Sequence, residues 1–140
     1  MGATPWSHDE TSAHVLVVDD DEAVRSSTAD VLRSAGHSVI EAGDGQDALR
    51  QLDRHRVGAL VLDIRMPKLD GMAVLAAVEE LPPVIVFSAF DLDHVDLRPF
   101  GNKIFQQVQK PLAPDLLIAL VGRALNGGPS AGEASPRRSA

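Results

Sequence analysis

Three short runs in this chain, VLVV at 15–18, LVL at 60–62 and VIVF at 84–87, contain no polar residue at all. A strand with one face in water alternates polar and apolar side chains. A strand without that alternation is buried on both faces, as in a parallel sheet covered by helices on each side. With Ser38–Glu41 (SVIE) and Ile104–Val108 (IFQQV), the runs His14–Val18, Val57–Leu62 and Val84–Phe87 make five expected strands.

Helical patterns fill the intervals. Val24, Thr28, Val31, Leu32 and Ala35 recur at helical spacing after the acidic start Asp21-Glu22, and Gly36 is placed to close that helix. Ala48, Leu49 and Leu52 form a second stripe, and Met72, Leu75 and Val78 a third. Leu116, Leu117, Leu120, Val121 and Ala124 form the last, entered through Pro114 and Asp115. The segment Asp91–Gly101 has a thin stripe, Leu92, Val95 and Leu97, and Pro99 ends or prevents a helix there, so a short or frayed helix is expected. The fivefold alternation of strand and helix predicts one doubly wound α/β domain over residues 14–125, with flexible tails at 1–13 and 126–140.

In 140 residues there is room for one domain, and 44% hydrophobic residues suffice for its core. The net charge of −7 repels phosphate backbones, so direct nucleic-acid binding is not expected. The absence of cysteine excludes thiol nucleophiles and thiolate metal sites and fits a reducing compartment. The opening MGATPWSHDETSAH lacks a basic stretch followed by an apolar one, and no apolar run approaches a membrane span, so a cytoplasmic location without membrane attachment is expected.

In open parallel sheets, chemistry gathers at the carboxyl ends of the strands. Asp19, Asp20 and Asp21 follow the first strand, Asp63 the third, Ser88 the fourth and Lys110 the fifth. Carboxylates crowded together repel one another unless a cation shares the site, and a hard divalent ion such as Mg²⁺ suits oxygen ligands. A lysine and a hydroxyl at the rim suit an anion with several oxygens. Together they form a parts list for a phosphoryl acceptor.

The motifs VLVVDDDEAVR, LVLDIRMPKLDG, VIVFSA and the late KP pair resemble the receiver domain of two-component response regulators across residues 14–125. The resemblance implies a flavodoxin-like sheet in the order 2-1-3-4-5. It implies that Asp63 is phosphorylated by a phosphohistidine on a histidine kinase or histidine phosphotransfer protein. Asp19, Asp20, Asp63 and the backbone carbonyl of Arg65 would hold Mg²⁺, Lys110 would neutralise phosphoryl oxygens, and Ser88 would bond one of them as the switch. Gln107, Arg65, Ala89, Phe90 and Pro111 are carried over as positions around that switch. The output would be altered affinity for a downstream protein, making the chain a switch and not a turnover enzyme.

Two departures from the family pattern stand out. Gln107 occupies the position, three before Lys110, where the family places Tyr or Phe. Phe105 lies two residues earlier, on the same face by strand alternation but one step farther from the lysine. Arg65 and Phe90 flank the path of a hydrolytic water in this family, and here they are expected to shield the acyl phosphate and slow its loss.

Two rival readings remain. The D-x-D spacing of Asp19 and Asp21 is also similar to haloacid-dehalogenase-type phosphatases, with Asp19 as nucleophile. That family needs a late acidic ligand, for which only Asp115 and Glu133 remain, and it leaves Asp63 idle. A receiver-fold module that binds partners without phosphate is the other. The five histidines lack ligand spacing, the arginines 50, 54 and 56 make a solvated face, and GDGQDA lacks the lysine of a phosphate-binding loop.

Overall fold

Because the central strands are apolar on both sides, they need helices on both sides, and the fold supplies them. A computed structural model describes residues 13–64, 71–78, 80–88, 103–109 and 112–126. Its elements in chain order are β1 (His14–Val18), α1 (Glu22–Ser34), β2 (Val39–Ala42), α2 (Gly45–Arg54), β3 (Val57–Leu62), α3 (Gly71–Ala77), β4 (Val84–Ser88), β5 (Ile104–Gln109) and α4 (Pro114–Leu125). The five strands form one parallel sheet in the order β2-β1-β3-β4-β5, as expected. The segment Asp91–Gly101 and the two tails, apart from Ala13 and Asn126, lie outside the described residues.

The sheet divides the core in two. Leu16, Val18, Leu60, Leu62, Val84 and Val86 pack with Ala48 of α2 and with Val74 and Leu75 of α3. Val15, Val17, Val61, Ile85 and Phe87 face the other way, against Leu32 of α1 and Leu117, Leu120 and Val121 of α4. Alternate residues of each central strand therefore enter different layers, which is why the runs VLVV, LVL and VIVF carry no polar residue.

Both ends of α1 and the start of α2 have a local cause. The Asp21 side chain accepts from the Ala23 and Val24 N–H groups to start α1. At its other end Gly36, at φ 97°, donates to Arg33 O, and His37 donates to Leu32 O, the paired bonds of a Schellman turn. Asp44 caps α2 by accepting from Asp47 N–H at 2.8 Å. Three details of the helices differ from the sequence reading. Ala35 caps α1 and is exposed, so it is not part of the buried stripe. Leu116 is 54% exposed, so the buried stripe of α4 is Leu117, Leu120, Val121 and Ala124. Val74 joins Leu75 as the buried pair of α3, while Val78 lies beyond the helix end.

The sheet has a register shift between β4 and β5. Val84 pairs with Ile104, but Ile85 pairs with Gln106, so Phe105 is the extra residue of a bulge. The bulge reverses the alternation beyond it. Phe105 joins the α1/α4 layer, whereas Gln107, in register with Val86, falls on the α2/α3 side and is exposed. The expectation that Phe105 shares a face with Gln107 is therefore wrong, because counting by twos fails across a bulge. The Phe105 ring instead lies under α4, with the Arg123 guanidinium 5.6 Å from its centroid.

Lys103 ties β5 to α3, a helix with no basic residue in its own last turn. Its ammonium donates to Leu75 O at 2.7 Å and Val78 O at 2.8 Å, satisfying carbonyls at the helix end. Replacing it with Met keeps the stem and removes both bonds, so Lys103→Met should cost about 1 to 3 kcal/mol. Urea denaturation reads this; an unchanged midpoint would contradict it.

At the amino edge of the sheet, a cleft of about 630 Å³ is lined by Ala13, His37, Arg56, Gly58, Leu125 and Asn126 among others. Among the described residues no helix is long and apolar enough to cross a membrane.

Candidate functional site

The carboxyl edge of the sheet is where β1 and β3 release their last residues side by side. Asp19 follows β1 and donates its N–H to Ala42 O, while its Oδ1 accepts from Asp21 N–H at 2.9 Å. Asp63 follows β3 and donates its N–H to Val18 O at 2.9 Å, which sets the two acids next to each other. After the described part of this loop the chain returns at Gly71, whose N–H donates to Ile64 O. A Cβ on Gly71 would lie 2.5 Å from Asp63 O, so only glycine allows that approach.

Asp19, Asp20 and Asp63 each place a carboxylate oxygen within 4.8 Å of the others, the one such acidic group among the described residues. Asp19 and Asp63 are buried and Asp20 is exposed, so the cluster opens to solvent on one side. Asp21 stands apart from this group, its oxygen spent on capping α1. Unit charges at this spacing repel by about 3 kcal/mol per pair at an effective dielectric near 20. All the donors are hard carboxylate oxygens, and one face is left for water or an incoming anion. That set fits Mg²⁺.

Ser88 is the last residue of β4, at the same edge as Asp63. The Ser88 hydroxyl, Arg65, Ala89, Phe90, Lys110 and Pro111 lie outside the described residues. The structure thus brings together Asp19, Asp20 and Asp63. It places Gln107 on β5, exposed and two residues before the strand's end. His14 bonds the Ser38 hydroxyl at 2.7 Å and meets the His55 ring edge-on at 5.4 Å, a structural pair at the strand starts.

Sequence reasoning passed over Arg25. Its Nη1 donates to the backbone carbonyl of Asp19 at 2.9 Å, and its Nε to Glu41 Oε1 at 3.2 Å. Glu41 also accepts from Arg33 at 3.2 Å. Two signals were available: a cation at the end of the first turn of a helix, where the dipole disfavours it, and a lone charge in the strand VIEA.

A model of the response regulator receiver domain matches residues 15–122. The chain belongs to that family. Transcriptional regulatory protein PrrA of Mycobacterium tuberculosis is 48% identical over 82 residues, covering 56% of this chain and 35% of that protein. Response regulator MprA of Mycobacterium bovis is 45% identical over 111 residues, covering 77% of this chain and 48% of that protein. This receiver domain therefore spans between about a third and a half of the length of those relatives. The receiver domain of Francisella response regulator 1452 superposes with a TM-score of 0.74 at 27% identity, covering 83% of this chain and 98% of that one. Chemotaxis protein CheY4 of Vibrio cholerae gives 0.72 at 25% identity, covering 81% and 98%. With Asp63 set beside Asp19 and Asp20, the family match disfavours the phosphatase reading.

Proposed function

We propose that this receiver domain accepts a phosphoryl group on Asp63 from a phosphohistidine of a histidine kinase or phosphotransfer protein. The observation that carries this reading is the cluster of Asp19, Asp20 and Asp63 at the carboxyl edge, two buried and one exposed. A carboxylate oxygen of Asp63 attacks phosphorus, the P–N bond to imidazole breaks, an acyl phosphate forms, and the leaving imidazole takes a proton. Asp19, Asp20 and Asp63 would hold Mg²⁺, with the carbonyl of Arg65 as a further ligand. Bound there, the ion offsets the charge between the carboxylates and the phosphoryl oxygens.

Lys110 is assigned to neutralise a phosphoryl oxygen and the Ser88 hydroxyl to bond another, so that phosphorylation biases two conformations through contacts only one of them makes. Arg65 and Phe90 are assigned to shield the acyl phosphate from water. Gln107 lacks the ring that usually follows the hydroxyl inward, and the bulge puts Phe105 on the opposite side of the sheet. The switch therefore reaches its output without an aromatic rotor in β5. The reading includes a receiver unit at 14–125. The unit is a cytoplasmic switch and not a turnover enzyme, and its output is a change in binding to a protein partner.

Incubation with acetyl phosphate and Mg²⁺, followed by intact-mass measurement, tests this. The wild type should gain one phosphoryl group, and Asp63→Asn should gain none. If neither acetyl phosphate nor a phosphorylated kinase labels the wild type, the chain is an interaction module working without phosphate.

A further inference from the structure

We propose that Arg25 is a positioning residue for the acidic cluster, acting by fixing the peptide plane that joins Asp19 to Asp20. The proposal rests on the reading that Asp19, Asp20 and Asp63 hold a divalent cation. The carbonyl oxygen of Asp19 and the N–H of Asp20 belong to one rigid planar unit. Nη1 of Arg25 donates to that carbonyl at 2.9 Å, so the guanidinium sets the plane's rotation and with it the direction in which each Cα projects its side chain.

The guanidinium is itself held. Nε bonds Glu41 Oε1 at 3.2 Å on β2, and Arg33, in the last turn of α1, separately bonds the other oxygen of that carboxylate at 3.2 Å. Arg25 is 17% exposed, so the pair works largely out of solvent. Space for it comes from Gly43, where an added Cβ would lie 3.3 Å from Nη1. A cation at the end of the first turn of α1 opposes the helix dipole. Breaking a local rule where a compensating contact exists is characteristic of residues kept for a site.

Two alternatives predict different results. As a bare positive charge near the cluster, Arg25 would oppose cation binding, and its removal would tighten it. As general glue between α1 and β2, it would be equivalent to Arg33, which shares Glu41 and instead reaches Val39 O. A positioning role predicts weaker binding on loss of Arg25 alone. Outer partners that orient metal ligands typically govern about ten- to a hundredfold in affinity.

Mn²⁺ is the probe, since carboxylate sites suited to Mg²⁺ take it and its free form is counted directly by electron paramagnetic resonance. Titrations of the intact chain would compare wild type, Arg25→Ala, Arg25→Lys and Arg33→Ala, with melting curves in chelator run alongside. Arg25→Ala should bind Mn²⁺ about ten- to a hundredfold more weakly. Arg25→Lys should recover part of the loss, because an ammonium reaches one acceptor but lacks the fork that spans both. Arg33→Ala should melt earlier yet bind as the wild type does. Unchanged or tighter binding by Arg25→Ala overturns the proposal, as does an equal loss in Arg33→Ala. Should Arg25→Ala fail to fold, Arg25→Lys decides: wild-type affinity there overturns the positioning role. A wild type that binds no Mn²⁺ removes the cation-site reading itself, a result separable from both.

Discussion

Gly71→Ala is expected to unsettle both the fold and the phosphoryl chemistry. The new methyl group would lie 2.5 Å from Asp63 O and 2.8 Å from the Cα of Ile64, and both are backbone atoms that cannot rotate aside. Either the start of α3 or the Asp63 peptide must move. Overpacking of this kind costs about 1 to 3 kcal/mol, and more where backbone resists backbone. Because the displaced peptide carries the acceptor, the rate of labelling by acetyl phosphate should fall together with the urea midpoint. A variant that keeps both would show that this approach is looser than the structure has it.

Asp20→Asn should stabilise the metal-free protein and abolish its response to Mg²⁺. Asp20 is the exposed member of a group whose oxygens stand within 4.8 Å of each other, so neutralising it relieves two repulsive pairs. Screening by solvent reduces the gain to about 1 to 3 kcal/mol. In the wild type, Mg²⁺ at a hundred times its dissociation constant should add about 2.7 kcal/mol, because it binds the native state alone. The two melting curves should therefore cross: the variant higher in chelator, the wild type gaining in Mg²⁺ and the variant not. A variant melting below wild type in chelator would mean that Asp20 is held by something stronger than its neighbours' charge.

These effects trace back to what could be read from residues alone. The runs VLVV, LVL and VIVF report burial on two faces, which led to a parallel sheet, and a parallel sheet aligns Asp19, Asp20 and Asp63 at one edge. Strand interiors were legible because alternation is a property of neighbours in sequence. The starts of α1 and α4 were legible for the same reason, through Asp21-Glu22 and through Pro114 and Asp115. What escaped was contact between distant segments. The bond from Arg25 to Asp19 O crosses six positions and the pair with Glu41 crosses sixteen, and neither leaves a periodic trace. The bulge did leave one: IFQQVQ sets two apolar residues before two polar ones, a broken alternation that marks an inserted residue. Leu116 was misplaced because, with apolar neighbours at 116–118, periodicity leaves the edge of the buried stripe ambiguous, and the packing of α4 on the sheet settles it.

The amino-edge cleft has a practical consequence. Ala13 and Asn126 both line it, and a side chain on Gly58 would touch Ala13 and Leu125 at once, so the two ends of the folded unit meet on the edge away from Asp63. Ends that lie close together suit circular permutation. A short bridge across that edge would join them, and new termini could then be opened elsewhere, leaving the acidic pocket clear for a surface-immobilised or fluorophore-fused version.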